Sequence, residues 1–362
     1  MNNGIAHGMQ CKQDSTSHRQ VCIDNNRCSK NINNTTEYKY GIAVRCFTYN
    51  HSAYIEDALQ GFAMQLCDFP VVFIIVDDAS TDNEQIILRK WAESNLAKES
   101  HLWRETRFGS IAEGKLIGKD NTSFVILLLK DNHYQHGNSF KRFDYIADWY
   151  NSAKYQALCE GDDYWIDPNK LQIQYDYLES HNGCSMVFHN AFRLNISDSK
   201  ISAQMFNDYC VEQNLTMYDA VNKWVVPTAS MVFRNGSEFA PSWVPRISSG
   251  DLTMILLFMD KGEVHYIHRI SSVYRRSTKK DSDSMSATID GISIMKGHVQ
   301  LFTSYNTGTN GKYADVLLPR IHYLSKEIAL QEARNSKQYW RLFLLIPHIA
   351  KRLLSKVGAR FK

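Results

Sequence analysis

The chain has 362 residues, 44% of them hydrophobic and 22% charged, a balance that favours a large packed core and excludes a mainly disordered protein. A formal net charge of +3 excludes the strongly basic field on which nucleic-acid binding depends. No run approaches the roughly 18 apolar residues of a membrane-spanning helix, and no signal-type apolar segment opens the sequence, so a cytoplasmic protein is expected.

Residues 1–38 are rich in Asn, Ser, Gln and Lys and read as a disordered polar leader. Of the eight cysteines, no pair has C-x-x-C spacing, so neither a zinc site nor a redox pair is indicated and reduced thiols are expected. From Gly41 to Phe47 the pattern becomes that of a buried strand. A helix over Ser52–Leu66 follows, with Ile55, Ala58, Leu59, Phe62, Ala63 and Leu66 at helical spacing. Val71–Val76 is a continuous apolar run, typical of a parallel strand covered on both faces. It closes in Asp77-Asp78-Ala79-Ser80-Thr81-Asp82, and a helix over Asn83–Ala97 is expected, capped by Thr81 or Asp82.

A third strand, Phe124–Leu129, leads into a polar loop over Lys130–Asn138, then a helix, then a short strand over Lys154–Leu158. Strands alternating with helices, each strand ending in polar residues, predict an α/β fold with a doubly wound, mostly parallel central sheet. The second half is more mixed: strands over Cys184–Phe192, Ser230–Arg234 and Val264–Val273, and a helix over Leu252–Met259. From Tyr313 onward helical patterns dominate. The expected organisation is a catalytic domain over 39–300, divided at 180 into nucleotide-binding and acceptor halves, and a helical tail over 301–362.

Chemistry concentrates at Cys159-Glu160-Gly161-Asp162-Asp163-Tyr164-Trp165, where three carboxylates occupy four positions after a strand. Anions that close repel one another unless a cation shares the site, and oxygen ligands suit Mg²⁺ or Mn²⁺. A solvated turn is the simpler alternative. Position argues for function, because ligands of open α/β sheets bind beyond the carboxyl ends of strands.

Thr48-Tyr49-Asn50, the Val76–Asp82 run and Cys159–Trp165, in that order, resemble family 2 glycosyltransferases with the GT-A fold. The resemblance covers roughly residues 40–280 and includes Asp167-Pro168-Asn169-Lys170-Leu171 after the acidic motif. It implies an inverting, metal-dependent hexosyltransferase that takes a nucleotide-diphospho-sugar, UDP-linked, and a glycan or lipid-linked acceptor in surface-polysaccharide assembly. Thr48, Tyr49 and Asn50 then fall at the nucleoside, and Asp77 or, by preference, Asp78 accepts a hydrogen bond from the base. Asn132 and His133, after the third strand, are further candidates near the nucleotide.

Glu160 takes the first acidic place of the family's Asp-x-Asp element, reaching ribose or metal-bound water. Asp162 is the first metal ligand, with Asp163 in support. Asp251, after Gly250, matches the family's catalytic base, with helix capping as the alternative. Arg275 pairs with phosphate, or with solvent in a basic turn. His189 lines the acceptor pocket or is structural.

After Glu332 the chain has no acidic residue, and Arg341, Lys351 and Arg352 alternate with Trp340, Phe343 and Leu353. That composition suits either an anionic membrane surface, which would place the protein on the inner face of the membrane, or packing on the catalytic domain. Two other functions compete. A nucleotidyltransferase needs a Gly-rich, basic loop after the first strand, which Thr48-Tyr49-Asn50-His51-Ser52 is not; a non-catalytic carbohydrate-binding scaffold would keep the fold without turnover.

Overall fold

The structure is a computed structural model, and it describes residues 37–97, 102–197, 200–238, 240–277 and 290–336. The leader up to residue 36, the polar stretch 278–289 and the basic tail 337–362 lie outside the described residues.

The described chain begins with β1 (Tyr40–Thr48), α1 (Ile55–Ala63), β2 (Val71–Asp77) and α2 (Glu84–Asn95). An antiparallel pair follows, β3 (Trp103–Glu105) and β4 (Gly109–Lys115), and then β5 (Thr122–Leu129), α3 (Lys141–Tyr150), β6 (Ala153–Leu158), β7 (Tyr164–Trp165) and α4 (Lys170–Ser180). The remaining strands are β8 (Cys184–Ser197), β9 (Lys200–Met205), β10 (Gln213–Asn214), β11 (Val232–Arg234) and β12 (Glu263–Ser277). The remaining helices are α5 (Met217–Asn222), α6 (Gly250–Lys261), α7 (Gly291–Gly308) and α8 (Ala314–Asn335).

Among the described residues these strands form one 12-stranded mixed sheet, in the order β10-β12-β8-β11-β6-β1-β2-β5-β4-β3, with β7 on β12 and β9 on β8. Its centre, β6-β1-β2-β5, is parallel, and β11 and β4 flank it antiparallel. The chain builds outward from β1 to β2 and β5, then returns to β6 on the other side of β1. That reversal opens a crevice beyond the carboxyl ends of β1 and β6, where open sheets place their ligands.

Alternation along the parallel strands explains the layers. Ile42, Val44 and Cys46 of β1 and Phe73 of β2 pack with α1, α2 and α4 through Phe62, Leu88 and Leu171. Ala43, Val72, Ile74 and Val76 face α3 through Ile146 and Tyr150. All seven residues of β2 are buried, as its continuous apolar run requires. A third cluster joins β8 and α6 to the last two helices through Met186, Phe188, Leu256, Phe258, Leu301, Phe302 and Leu317. Residue 300 falls inside α7, and α7 and α8 pack on the same core as β8 and α6. The five described cysteines, Cys46, Cys67, Cys159, Cys184 and Cys210, are unpaired.

Beneath the acidic turn lies Lys170, only 1% exposed. Its Nζ sits 4.0 Å from the Trp165 ring centroid and donates to Gln174 Oε1 at 2.8 Å. Burial pulls the ammonium down from 10.5 to about 7. Between those two values the unfolded chain holds a proton that the folded chain has lost, so stability should rise with pH through this window and fall as pH returns to 7. In Lys170→Met that slope should flatten, which urea-unfolding midpoints measured from neutral pH to about pH 10 would show.

Candidate active site at the carboxyl edge of the sheet

Three loops meet where β1, β2 and β6 end, and their side chains bind one another. Thr48 donates its hydroxyl to the buried carboxylate of Glu84, which also accepts His51 N–H at 2.8 Å and Ser80 Oγ at 2.9 Å. Asn50 Oδ1 accepts Thr81 N–H at 2.8 Å, and Asp82 accepts Ser52 N–H at 2.9 Å. Asn50 and Ala79 carry positive φ, 55° and 64°, a conformation that Asn tolerates and Ala adopts at a cost of about 1–2 kcal/mol. The network of caps and cross-links holds the strained turn in place. Asp82 caps the entry to α2 by accepting the Glu84 N–H at 3.2 Å.

Several residues expected at the nucleotide are spent in this way. Thr48 is 3% exposed, and Asp77 and Asp78 are fully buried. Asp77 Oδ1 accepts Ser80 N–H and Gln85 Nε2, while burial raises the carboxyl above its usual range against those bonds. Asp78, the preferred base contact, accepts the N–H groups of His133 and Tyr134, each at 2.9 Å, and pairs with Arg142 at 3.3 Å. Its carboxylate shapes the loop after β5; it does not face the crevice. Asp78→Ala should cost about 3–5 kcal/mol in urea unfolding, because Arg142 would be left buried without its partner.

Other members of the expected set do line the opening. Tyr49 is half-buried, and its hydroxyl accepts Gln135 Nε2 at 3.3 Å, joining the first loop to the loop after β5. Asn132 Oδ1 accepts Gln135 N–H at 2.7 Å, while its Nδ2 is buried without a partner, as is Asp77 Oδ2. One buried donor and one buried acceptor thus stand near the ends of the neighbouring strands β2 and β5.

The acidic turn divides its three carboxyl groups. Asp163, the expected supporting metal ligand, is 3% exposed and accepts the Arg275 N–H at 2.8 Å on Oδ1, which ties the turn to β12. Burial, with the Asp162 charge beside it, drives its carboxyl well above the usual range. Glu160 keeps an exposed edge, while desolvation by the surrounding chain and then the charges of Asp162 and Asp251 raise its carboxyl to about 7, against the pull of Arg45 and Arg142. Burial and mutual repulsion thus push two of the three carboxyl groups upward. Asp162 is partly exposed, with its Oδ2 4.0 Å from His51 Nε2. Gly161 permits this packing, since a Cβ there would lie 2.1 Å from Thr48 Oγ1.

Arg275, expected at a phosphate, is engaged within the protein. Its guanidinium bonds Asp57 and the carbonyl of Asp162 and lies between the Tyr54 and Tyr164 rings, at 4.9 and 4.3 Å. With a 10% exposed side chain it clasps α1 to the acidic turn. His189 is 2% exposed, and its Nδ1–H donates to the Asn190 carbonyl at 2.7 Å.

Across the crevice, Asp251 sits in the first turn of α6, half-buried. The N-cap position belongs to Ser249, whose hydroxyl meets His298 Nε2 of α7 at 2.8 Å and makes no cap bond. Asp251 acts electrostatically on Glu160 on one side and on His298 on the other. His298 was not legible in the sequence, because α7 has no motif that ties it to α6. His51 was legible only as a loop residue.

Among the described residues no group of three or more His, Cys, Asp or Glu side chains forms a metal cage. The donor set fits a divalent ion only as an open site, with Asp162 supplying a carboxylate oxygen at the crevice and most positions left for ligand oxygens.

No protein-family model matches the chain. Uncharacterized proteins Rv1520 of Mycobacterium tuberculosis and Mb1547 of Mycobacterium bovis are each 30% identical over 237 residues, 65% of this chain. The chain spans 58% of the length of those relatives. Among solved structures, S. aureus TarS 1–349 in complex with UDP-GlcNAc overlays with a TM-score of 0.51, covering 81% of this chain and 74% of that one at 13% identity. The same protein without ligand gives 0.50. The two chains share a fold. A mannosyltransferase of Pyrobaculum calidifontis in complex with GDP-Man and Mn²⁺, at a TM-score of 0.46 and 14% identity, overlays too loosely to compare sites. No described helix is long and apolar enough to cross a membrane.

Proposed function

We propose that the chain is an inverting glycosyltransferase of the family 2 type, moving a sugar from a UDP-linked donor to a hydroxyl of a glycan or lipid-linked acceptor. The observation that carries the reading is the gathering of acidic groups beyond the strand ends: Glu160 and Asp162 on the turn after β6, with Asp251 at the start of α6 within electrostatic reach of Glu160. The shared fold with TarS, which binds UDP-GlcNAc, supports a nucleotide-sugar as the ligand.

In this reading the nucleoside lies over the ends of β1, β2 and β5. Tyr49 offers a ring to the base, with Asp77 and Asn132 near the strand ends beneath it. The diphosphate lies toward Asp162, where Mn²⁺ or Mg²⁺, when bound, would neutralise charge growing on the leaving group. Asp251 takes the proton of the acceptor hydroxyl as its oxygen bonds the anomeric carbon. The bond from that carbon to the diphosphate oxygen breaks on the opposite face, which inverts the centre. Glu160, near pH 7 in its titration, can donate a hydrogen bond to ribose or sugar hydroxyls as an acid.

A donor screen that follows nucleoside diphosphate release in the presence of Mn²⁺ or Mg²⁺, starting from UDP-GlcNAc, tests the proposal. Release that depends on Asp251 supports transfer. Tight binding of UDP with no release from any donor, across a panel of glycan and lipid-linked acceptors, would favour the carbohydrate-binding scaffold.

A further inference from the structure

We infer that His51, in the loop after β1, is a cation ligand that shares a divalent ion with Asp162, and that its imidazole makes the site select Mn²⁺ over Mg²⁺. The inference deepens the sugar-transfer reading, on which it relies for the diphosphate oxygens that complete the ion's shell.

The argument starts from one proton. The Thr48 hydroxyl has a single hydrogen, and it is donated to the carboxylate of Glu84, which also receives His51 N–H and Ser80 Oγ–H. While Glu84 is ionised, Thr48 Oγ1 meets His51 Nδ1, 3.1 Å away, as an acceptor, and the ring proton then sits on Nδ1. The neutral ring then has its lone pair on Nε2. That nitrogen faces Asp162 Oδ2 at 4.0 Å, beyond hydrogen-bond reach. Two acceptors thus point at one another across a gap at the crevice, an arrangement that a cation between them turns from repulsive to favourable.

The supporting shell has the form found behind metal-bound histidines, whose second ring nitrogen donates to an oxygen that fixes the tautomer. Here the chain runs from imidazole to the Thr48 hydroxyl to the Glu84 carboxylate. The ring is held in place as well, because Gly161 leaves it against the backbone of the acidic turn: a Cβ at Gly161 would lie 3.1 Å from His51 Nδ1. Bonds of about 2.1 Å at right angles bring two ligand atoms to about 3.0 Å. Closing the site thus asks for roughly 1 Å of side-chain motion, which side-chain exposures of 25% for His51 and 30% for Asp162 allow. Mn²⁺ shares the oxygen preference of Mg²⁺ but, as a first-row transition ion, also takes an imidazole nitrogen, whereas Mg²⁺ holds to oxygen, so one His in the shell tilts the site toward Mn²⁺.

The test is Mn²⁺ binding to the full chain, read from the loss of the free-ion EPR signal, with and without UDP, and the same for Mg²⁺ by competition. Wild type is compared with His51→Gln, His51→Asn and Thr48→Val, each checked for native circular dichroism. The expected result is at least a tenfold loss of Mn²⁺ affinity in either His51 variant, little change for Mg²⁺, and a smaller loss in Thr48→Val. Imidazole ¹⁵N shifts in wild type should show the proton on Nδ1 and broadening of His51 signals by trace Mn²⁺. Equal affinity in wild type and both His51 variants, an equal loss of both ions, or a proton on Nε2 would overturn the inference. A wild type that binds Mn²⁺ through His51 but binds neither UDP nor GDP would instead sink the sugar-transfer reading and leave the cation site standing.

Discussion

Asp251→Asn is expected to lower kcat by about 10²–10⁴-fold while the KM for the donor and the unfolding midpoint stay near those of wild type. The amide keeps the shape of the side chain and removes its ability to take a proton. Ser249, not Asp251, occupies the cap of α6, so the substitution does not uncap the helix. That separates the two roles the sequence left open: loss of a cap costs about 1 kcal/mol of stability, whereas loss of a base costs turnover alone. A coupled assay of nucleoside diphosphate release, together with urea unfolding, measures both. A variant that is destabilised but turns over at the wild-type rate once folded would return Asp251 to a structural role.

Asp162→Asn is expected to reduce kcat by about 10²–10³-fold and to weaken UDP binding in the presence of divalent ion, with little effect on metal-free UDP binding. The reason is the uneven division of the acidic turn. Asp163 is tied to Arg275 N–H and buried, and Glu160 titrates at about 7, so Asp162 is the carboxylate placed to share a cation with the ligand. Calorimetric titration with UDP, with and without Mn²⁺, reads the difference. Equal affinity for UDP–Mn²⁺ in both proteins would remove Asp162 from the site.

The strands of the parallel centre were legible because burial on both faces leaves a continuous apolar run, as in Val71–Val76, and because α1 shows helical spacing at Ile55, Ala58, Leu59 and Phe62. The β3–β4 pair was not, since β4 is half polar and buries only its first four residues, against a neighbour that becomes visible only in the fold. Helix α7 escaped for a related reason. Its mixture of Gly, Ser, Thr and Lys gives a weak stripe, and it is held by contacts of Leu301, Phe302 and Tyr305 with distant parts of the chain.

The site was legible in place but only partly in role. The acidic turn and the two upstream strand ends come to one edge of the sheet, as the alternation of strands and helices implied. Sequence cannot say which way a side chain turns. Thr48, Asn50, Asp77 and Asp78 read as ligand contacts because they are polar residues at strand ends, yet most of their hydrogen-bonding capacity is spent on holding neighbouring loops together. Arg275 read as a phosphate partner, yet its partners are Asp57, Asp162 O and two tyrosine rings. His298 and His51 gain significance only from Ser249 and Asp162, residues far from each of them in sequence.

Co-crystallisation of the full chain with UDP and Mn²⁺ tests the central claim most directly. The account predicts the diphosphate against Asp162, the base over the ends of β2 and β5, and Asp251 across the crevice with room for a sugar between. A nucleotide bound elsewhere on the sheet, with the crevice between Asp162 and Asp251 left to solvent, would contradict it.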